Sequence, residues 1–187
     1  MSAAQALTGS IASSHVIKWL RAWYSEGMPD AIDLEIVRQM LPSTPYGAGV
    51  REIRPPVEIN GDAFEGMLAR DPDDRAVWGI AYNGKARRER QRFTIAHELG
   101  HFILHRSQQQ SFNCDNQSVH TGIDGLRQIE REVDEFAGNL LMPGDLLREW
   151  ISNQRIDLHV LSAIAKRFQV SFEALCIRFI KFTKQRA

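Results

Sequence analysis

Two cysteines, Cys114 and Cys176, are all that the 187 residues contain. No disulfide framework is implied, and a reducing cytoplasm is the expected compartment. Long hydrophobic runs are also missing. Every apolar stretch falls well short of the ~18 residues needed to cross a bilayer. The start, "MSAAQALTGSIASSHVIKWL", has no basic segment followed by an unbroken apolar core, so the expectation is no secretory leader but a tail running into a helix. There is no internal repeat and no low-complexity tract. Net charge is absent too, with 23 basic against 23 acidic residues, which argues against nucleic acid as the main ligand. With 43% hydrophobic and 25% charged residues, what remains is a soluble globular protein of one ordinary domain, with room for a small appendage.

The charge that is present is unevenly spread. Residues 26 to 74 hold eleven acidic and four basic side chains, whereas residues 166 to 187 hold six basic and one acidic. "KARRERQR" at 85–92 is a second basic cluster. Such runs read as solvated faces or turns, or alternatively as a basic rim that attracts an acidic partner or phosphates. The apolar spacing in "SHVIKWLRAWYSEG" predicts a helix ending near Gly27, and a shorter one runs from Asp33 to Leu41 before Pro42. Residues 42–62, with four prolines, predict loop with room for one short strand. "AVWGIAYNGK" predicts a strand entering a hairpin-type turn at Asn83-Gly84. A polar loop is expected from about 107 to 126 and helices over 157–168 and 172–183.

The chemistry is concentrated in "RFTIAHELGHFILH", residues 92–105. On a helix, His97, His101, Thr94, His105 and Glu98 fall within about 100° of one another, and apolar residues fill the remaining arc. A wet helix face usually carries Lys, Glu, Asp or Gln, so three histidines and a glutamate are an odd choice for solubility alone. Histidines four apart stack on one face, and both imidazoles can reach one Zn²⁺ at ~2.1 Å. Glu98, one residue on, is rotated away from ligation and suited to act as general base on a metal-bound water. His105 lies about 12 Å of helix rise beyond His97, too far for both to share a tetrahedral ion. It is expected to make a helix-end or loop contact instead.

A third ligand must come from elsewhere. Cys114, Asp115 and His120 sit in the polar loop, a poor support for a catalytic ligand. In "IEREVDEFAGNLLMP" a helix places Glu132 at one edge of the apolar arc and Glu130 at the other, with Asp134 and Glu135 pointing away. Spacing alone leaves the two glutamates tied. "RFTIAHELGHFILH" followed by "EREVDEFAGNLLMP" resembles the ImmA/IrrE family of metallo-endopeptidases, as do "GIAYN" and "LSAIAKRFQVSFEAL" over about 76–180. The resemblance implies zinc ligands His97, His101 and Glu132, with Glu98 as catalytic base. Val133, Asp134 and Gly138 stand where the family more usually has Ala, Asn and Ala. Zinc is the implied cofactor, with Mn²⁺ and Fe²⁺ as alternatives in the cell. The resemblance also implies a protein substrate, namely a helix-turn-helix repressor or antitoxin in a bacterial or phage regulatory system.

The fold expected is α+β: a helix-dominated, zincin-like domain with a small β-sheet or hairpin and a C-terminal helical pair. It divides into an N-terminal region over 1–75, a metallopeptidase core over 76–150 and the helical pair over 151–187. That pair has a helix-turn-helix pattern with Ser171 as N-cap. Its second helix offers mainly Phe172, Leu175, Cys176, Phe179 and Ile180, which reads as packing rather than base recognition. Two other functions compete with the peptidase: a metal-bearing module that sequesters its partner without cleaving it, and a DNA-binding regulator. Tyr82, His120 and His159 are the candidates for stabilising an oxyanion.

Overall fold

A computed structural model describes residues 7–62, 64–115, 124–152 and 155–184. The architecture is α+β, with seven helices around a five-stranded mixed sheet among the described residues. Helix α1 (Gly9–Trp23) opens under the Thr8 hydroxyl, which accepts from the Ile11 N–H at 3.3 Å. Helix α2 (Leu34–Met40) opens in the same way on Asp33 and runs into two short 3₁₀ turns, Leu41–Ser43 and Pro45–Gly47, each with proline early in the turn.

The sheet follows, built from β1 (Glu52–Ile53), β2 (Val57–Ile59), β3 (Phe64–Arg70), β4 (Val77–Asn83) and β5 (Ser111–Asp115). Strand β4 is central. It pairs antiparallel with β3 on one side, while β1 and then β2 run parallel along its other side. Strand β5 extends the sheet beyond β3. Helix α3 (Arg88–Leu104) lies across the sheet, with Phe102 edge-on to Trp78 at 5.9 Å. Helix α4 (Asp124–Leu141) packs between α3 and α1. Both crossings are close because glycine stands at each. A Cβ on Gly100 would meet Phe136 at 3.0 Å, and one on Gly9 would lie 2.0 Å from the Glu132 carbonyl oxygen. Helices α5 (Gly144–Ile151), α6 (Leu158–Phe168) and α7 (Phe172–Lys184) complete the chain. The α6–α7 turn passes through Gln169 in the left-handed region, and the Ser171 hydroxyl caps α7. Among the described residues, no helix is long and apolar enough to cross a membrane.

Three local expectations change. Asn83-Gly84 does not close a hairpin but leads β4 into α3. The Asn83 side chain donates to the carbonyls of Gly61 and Phe64 at 3.0 and 2.7 Å and accepts from the Lys85 N–H at 2.9 Å, so an Asx turn replaces the hairpin turn. The hairpin is instead β3–β4, closed by an Asp-rich turn in which Asp71 accepts from the Asp73 and Asp74 N–H groups at 2.9 and 3.1 Å. The polar stretch after α3 contains β5, whose buried Phe112 anchors it, and the proline-rich stretch contains two short strands.

Candidate metal centre

Helix α3 presents His97, Glu98, His101 and His105 along one stripe, as the spacing predicts, but the stripe is buried rather than wet. Its His97 and Glu98 line the cleft between α3, α4 and α7. The Nε2 atoms of His97 and His101 lie 3.1 Å apart, turned toward each other. Neither imidazole could approach the other so closely with both nitrogens protonated, so the pair is arranged for a cation or a shared proton. Burial first, then the neighbouring His97 and His105, push the His101 pKa down to about 2. The ring is therefore neutral, the form in which imidazole binds a metal. Phe112 of β5 stacks on it at 4.6 Å with an interplanar angle of 18°, fixing its plane.

The third group beside this pair is Glu130. Its Oε2 lies 3.1 Å from His97 Nε2 and its Oε1 3.5 Å from His101 Nε2. His97, His101 and Glu130 each offer one ligand atom, all within 4.8 Å of one another. Glu132 is not in this group. Its Oε2 lies 3.4 Å from His105 Nε2, and its Oε1 accepts from Gln128 Nε2 at 2.8 Å. The reason is helical geometry: the two glutamates leave α4 about 160° apart, and only the edge bearing Glu130 faces the paired imidazoles. Of the residues expected as ligands, His97 and His101 are brought together with Glu130, while Glu132 lies against His105.

Two imidazole nitrogens and one carboxylate oxygen converging from rigid helices suit a tetrahedral divalent ion with a fourth position left open. Glu98 is not one of these three donors but lines the same cleft. Its carboxylate is fully buried beside Thr94 and Gly66 of β3, close enough that a Cβ on Gly66 would lie 2.7 Å from Oε1. Asp134, placed away from the apolar arc by sequence, has its Oδ1 3.0 Å from His97 Nδ1. The signal for it was present: Glu130 and Asp134 are four apart, a mirror of His97 and His101 on the facing helix.

His105 ends α3 as its C-cap, the helix-end contact expected of it. Burial holds its pKa below the usual histidine value, against the opposing pull of Glu132. The side chains of Cys114 and Asp115, and all of His120, lie outside the described residues. Tyr82 and His159 do not line the cleft. That cleft, about 550 Å³, is bounded by the centre on one side and by Met142, Val170, Ala174 and Ile177 on the other, so α7 forms a wall of it.

The model of the IrrE N-terminal-like domain, Peptidase M78, matches residues 58–179. The radiation response metalloprotease IrrE of Deinococcus radiodurans is 34% identical over an alignment of 108 residues that covers 55% of this chain. The match spans only 30% of that curated relative's length. A Mycobacterium tuberculosis transcriptional regulator superposes with a TM-score of 0.51 at 19% identity, covering 88% of this chain and 46% of that one. At that identity the likeness is one of fold.

Proposed function

The chain belongs to the Peptidase M78 family, that of the IrrE N-terminal-like domain, and from that premise we propose that it is a zinc-dependent endopeptidase acting on a partner protein. The partner would be a helix-turn-helix repressor or antitoxin. The observation that carries the reading is the convergence of His97 Nε2, His101 Nε2 and the Glu130 carboxylate within 4.8 Å, at the edge of a cleft of about 550 Å³. Glu130 takes the place that the resemblance gave to Glu132.

Zinc held by these three residues would supply a Lewis acid for a peptide carbonyl and lower the pKa of a bound water. Glu98, which lines the same cleft, would accept a proton from the attacking water on its carboxylate and return it to the departing amine. Its burial beside Gly66 and Thr94 keeps competing solvent away from the transfer. The Asp134 carboxylate holds His97 by its Nδ1–H, presenting the Nε2 lone pair to the ion. The apolar wall of Met142, Val170, Ala174 and Ile177 would receive a hydrophobic substrate side chain. The use of α7 as a cleft wall supports a packing role for the helical pair over a DNA-reading one.

The test pairs metal content with cleavage. Glu98→Gln should retain one zinc per chain and lose cleavage of the partner by at least about 10²-fold. Glu130→Ala should lose both. Partner inactivation that survives in zinc-loaded Glu98→Gln would refute proteolysis and favour sequestration. Salt-sensitive DNA binding would bring back the regulator reading.

A further inference from the structure

His97 and His101 are supported differently behind the centre. His97 meets a carboxylate directly, through Asp134. His101 is fully buried, and its Nδ1 faces another imidazole, His105 Nδ1 at 3.4 Å. The far nitrogen of that ring, His105 Nε2, faces Glu132 Oε2 at 3.4 Å. We propose that Glu132, acting through His105, holds His101 in the tautomer that binds metal. This rests on His97, His101 and Glu130 being the zinc ligands.

Proton bookkeeping fixes the direction of the chain. His101 Nε2 looks into the ligand cluster, so as a ligand it must carry a lone pair there. Its proton then resides on Nδ1 and is donated toward His105 Nδ1, which must accept. His105 therefore carries its own proton on Nε2 and donates it to the Glu132 carboxylate. The other oxygen of that carboxylate is held by Gln128 at 2.8 Å. Each donor meets an acceptor, and reversing any one ring breaks the next link.

The relay has a physical purpose. An outer carboxylate raises the basicity of a ligating histidine and fixes its orientation. Placing a charged carboxylate against the fully buried His101 would cost its desolvation. With His105 between them, Glu132 stays partly exposed, at 27% of its side chain, while its influence reaches the buried ring. This also gives Glu132 a role on the same helix as Glu130 without placing it on the ion. Glu132 and His105 are positioning residues, not ligands.

The experiment measures zinc affinity of the full chain by competition with a chelator, alongside the visible spectrum of the Co²⁺-substituted protein. The expected order is clear. Glu130→Ala loses zinc outright, whereas Glu132→Ala and His105→Leu each weaken it by about 10-fold. The double variant is no weaker than His105→Leu alone, because a chain broken once has nothing further to transmit. His105→Gln, whose amide offers an acceptor and a donor at a similar span, restores most of the affinity, and it serves as the folded control should His105→Leu be unstable. The Co²⁺ spectrum of Glu132→Ala keeps its tetrahedral intensity. Unchanged zinc affinity in Glu132→Ala and His105→Leu would overturn the relay, as would strict additivity in the double variant. A Glu132→Ala loss equal to that of Glu130→Ala would make Glu132 a ligand and overturn it too. A wild-type chain that binds no zinc would instead remove the metal reading beneath it.

Discussion

Gly66 stands on β3 where a methyl group would fall 2.4 Å from Thr94 Cγ2 and 2.7 Å from Glu98 Oε1. Gly66→Ala should therefore push the Glu98 carboxylate aside while leaving the ligands in place. Displacement of a catalytic group by about 1 Å can cost on the order of 10²-fold in rate. The expected result is full zinc content with kcat reduced by that order, read from metal analysis and cleavage of the same sample. Unchanged kcat would place the proton transfer elsewhere. At this scale His97, Glu98 and His101 were legible in sequence, because a spacing of four on a helix dictates a shared face whatever the tertiary context. The choice between Glu130 and Glu132 was not. Both flank the apolar face of α4, and which flank meets α3 is settled by a crossing that no single-helix projection contains.

Several helices carry a local signal in the sequence, with Asp33 before α2, Pro42 after it and Ser171 before α7, whereas α5 opens at Pro143 without a side-chain cap and is not among the expected helices. The strands were less visible. Strand β5 is polar but for Phe112 and is held by pairing with β3, a long-range contact that local pattern does not announce. Strand β3 likewise depends on pairing with β4 and β5, and the turn that joins it to β4 lies at residues 71–76 rather than at Asn83-Gly84. That turn carries its own prediction. The Asp73 N–H above all, with the Asp74 N–H and Arg54 in support, holds the Asp71 carboxyl below the usual aspartate value of 3.8. The Ala76 N–H and then Arg51 do the same for Asp74. Depressed carboxylate pKa values in the fold mean that the unfolded chain binds protons first as pH falls. Their stabilisation is complete above the unfolded value and is lost as pH drops through the lower, folded values. Asp71→Asn keeps an acceptor but cannot titrate, so its unfolding free energy should fall less steeply than wild type below about pH 4, as followed by denaturant titration. Parallel slopes would show that the turn is not acid-sensitive.

Across the whole molecule the centre joins parts that are distant in sequence. Helix α3 would give two donors and α4 one. Helix α4 is held in turn by α1 through the Gly9 crossing, and α7 closes the far side of the cleft. An ion bound there ties α3 to α4 in the folded chain and finds no such site in the unfolded one. Binding to the folded state alone stabilises by RT ln(1 + [Zn]/Kd), about 2.7 kcal/mol at 100 times Kd. For a chain of this size that corresponds to roughly 5–10 °C in Tm. Calorimetry with zinc and with excess chelator should show a shift of that order in wild type. Glu98→Gln should shift by the same amount, because Glu98 binds no metal. Glu130→Ala should show no zinc-dependent shift, because two imidazoles 3.1 Å apart without the carboxylate hold the ion weakly. Equal melting temperatures with zinc and with chelator in wild type would mean that the folded chain does not hold the ion, and a shift that persists in Glu130→Ala would move the third donor to another residue.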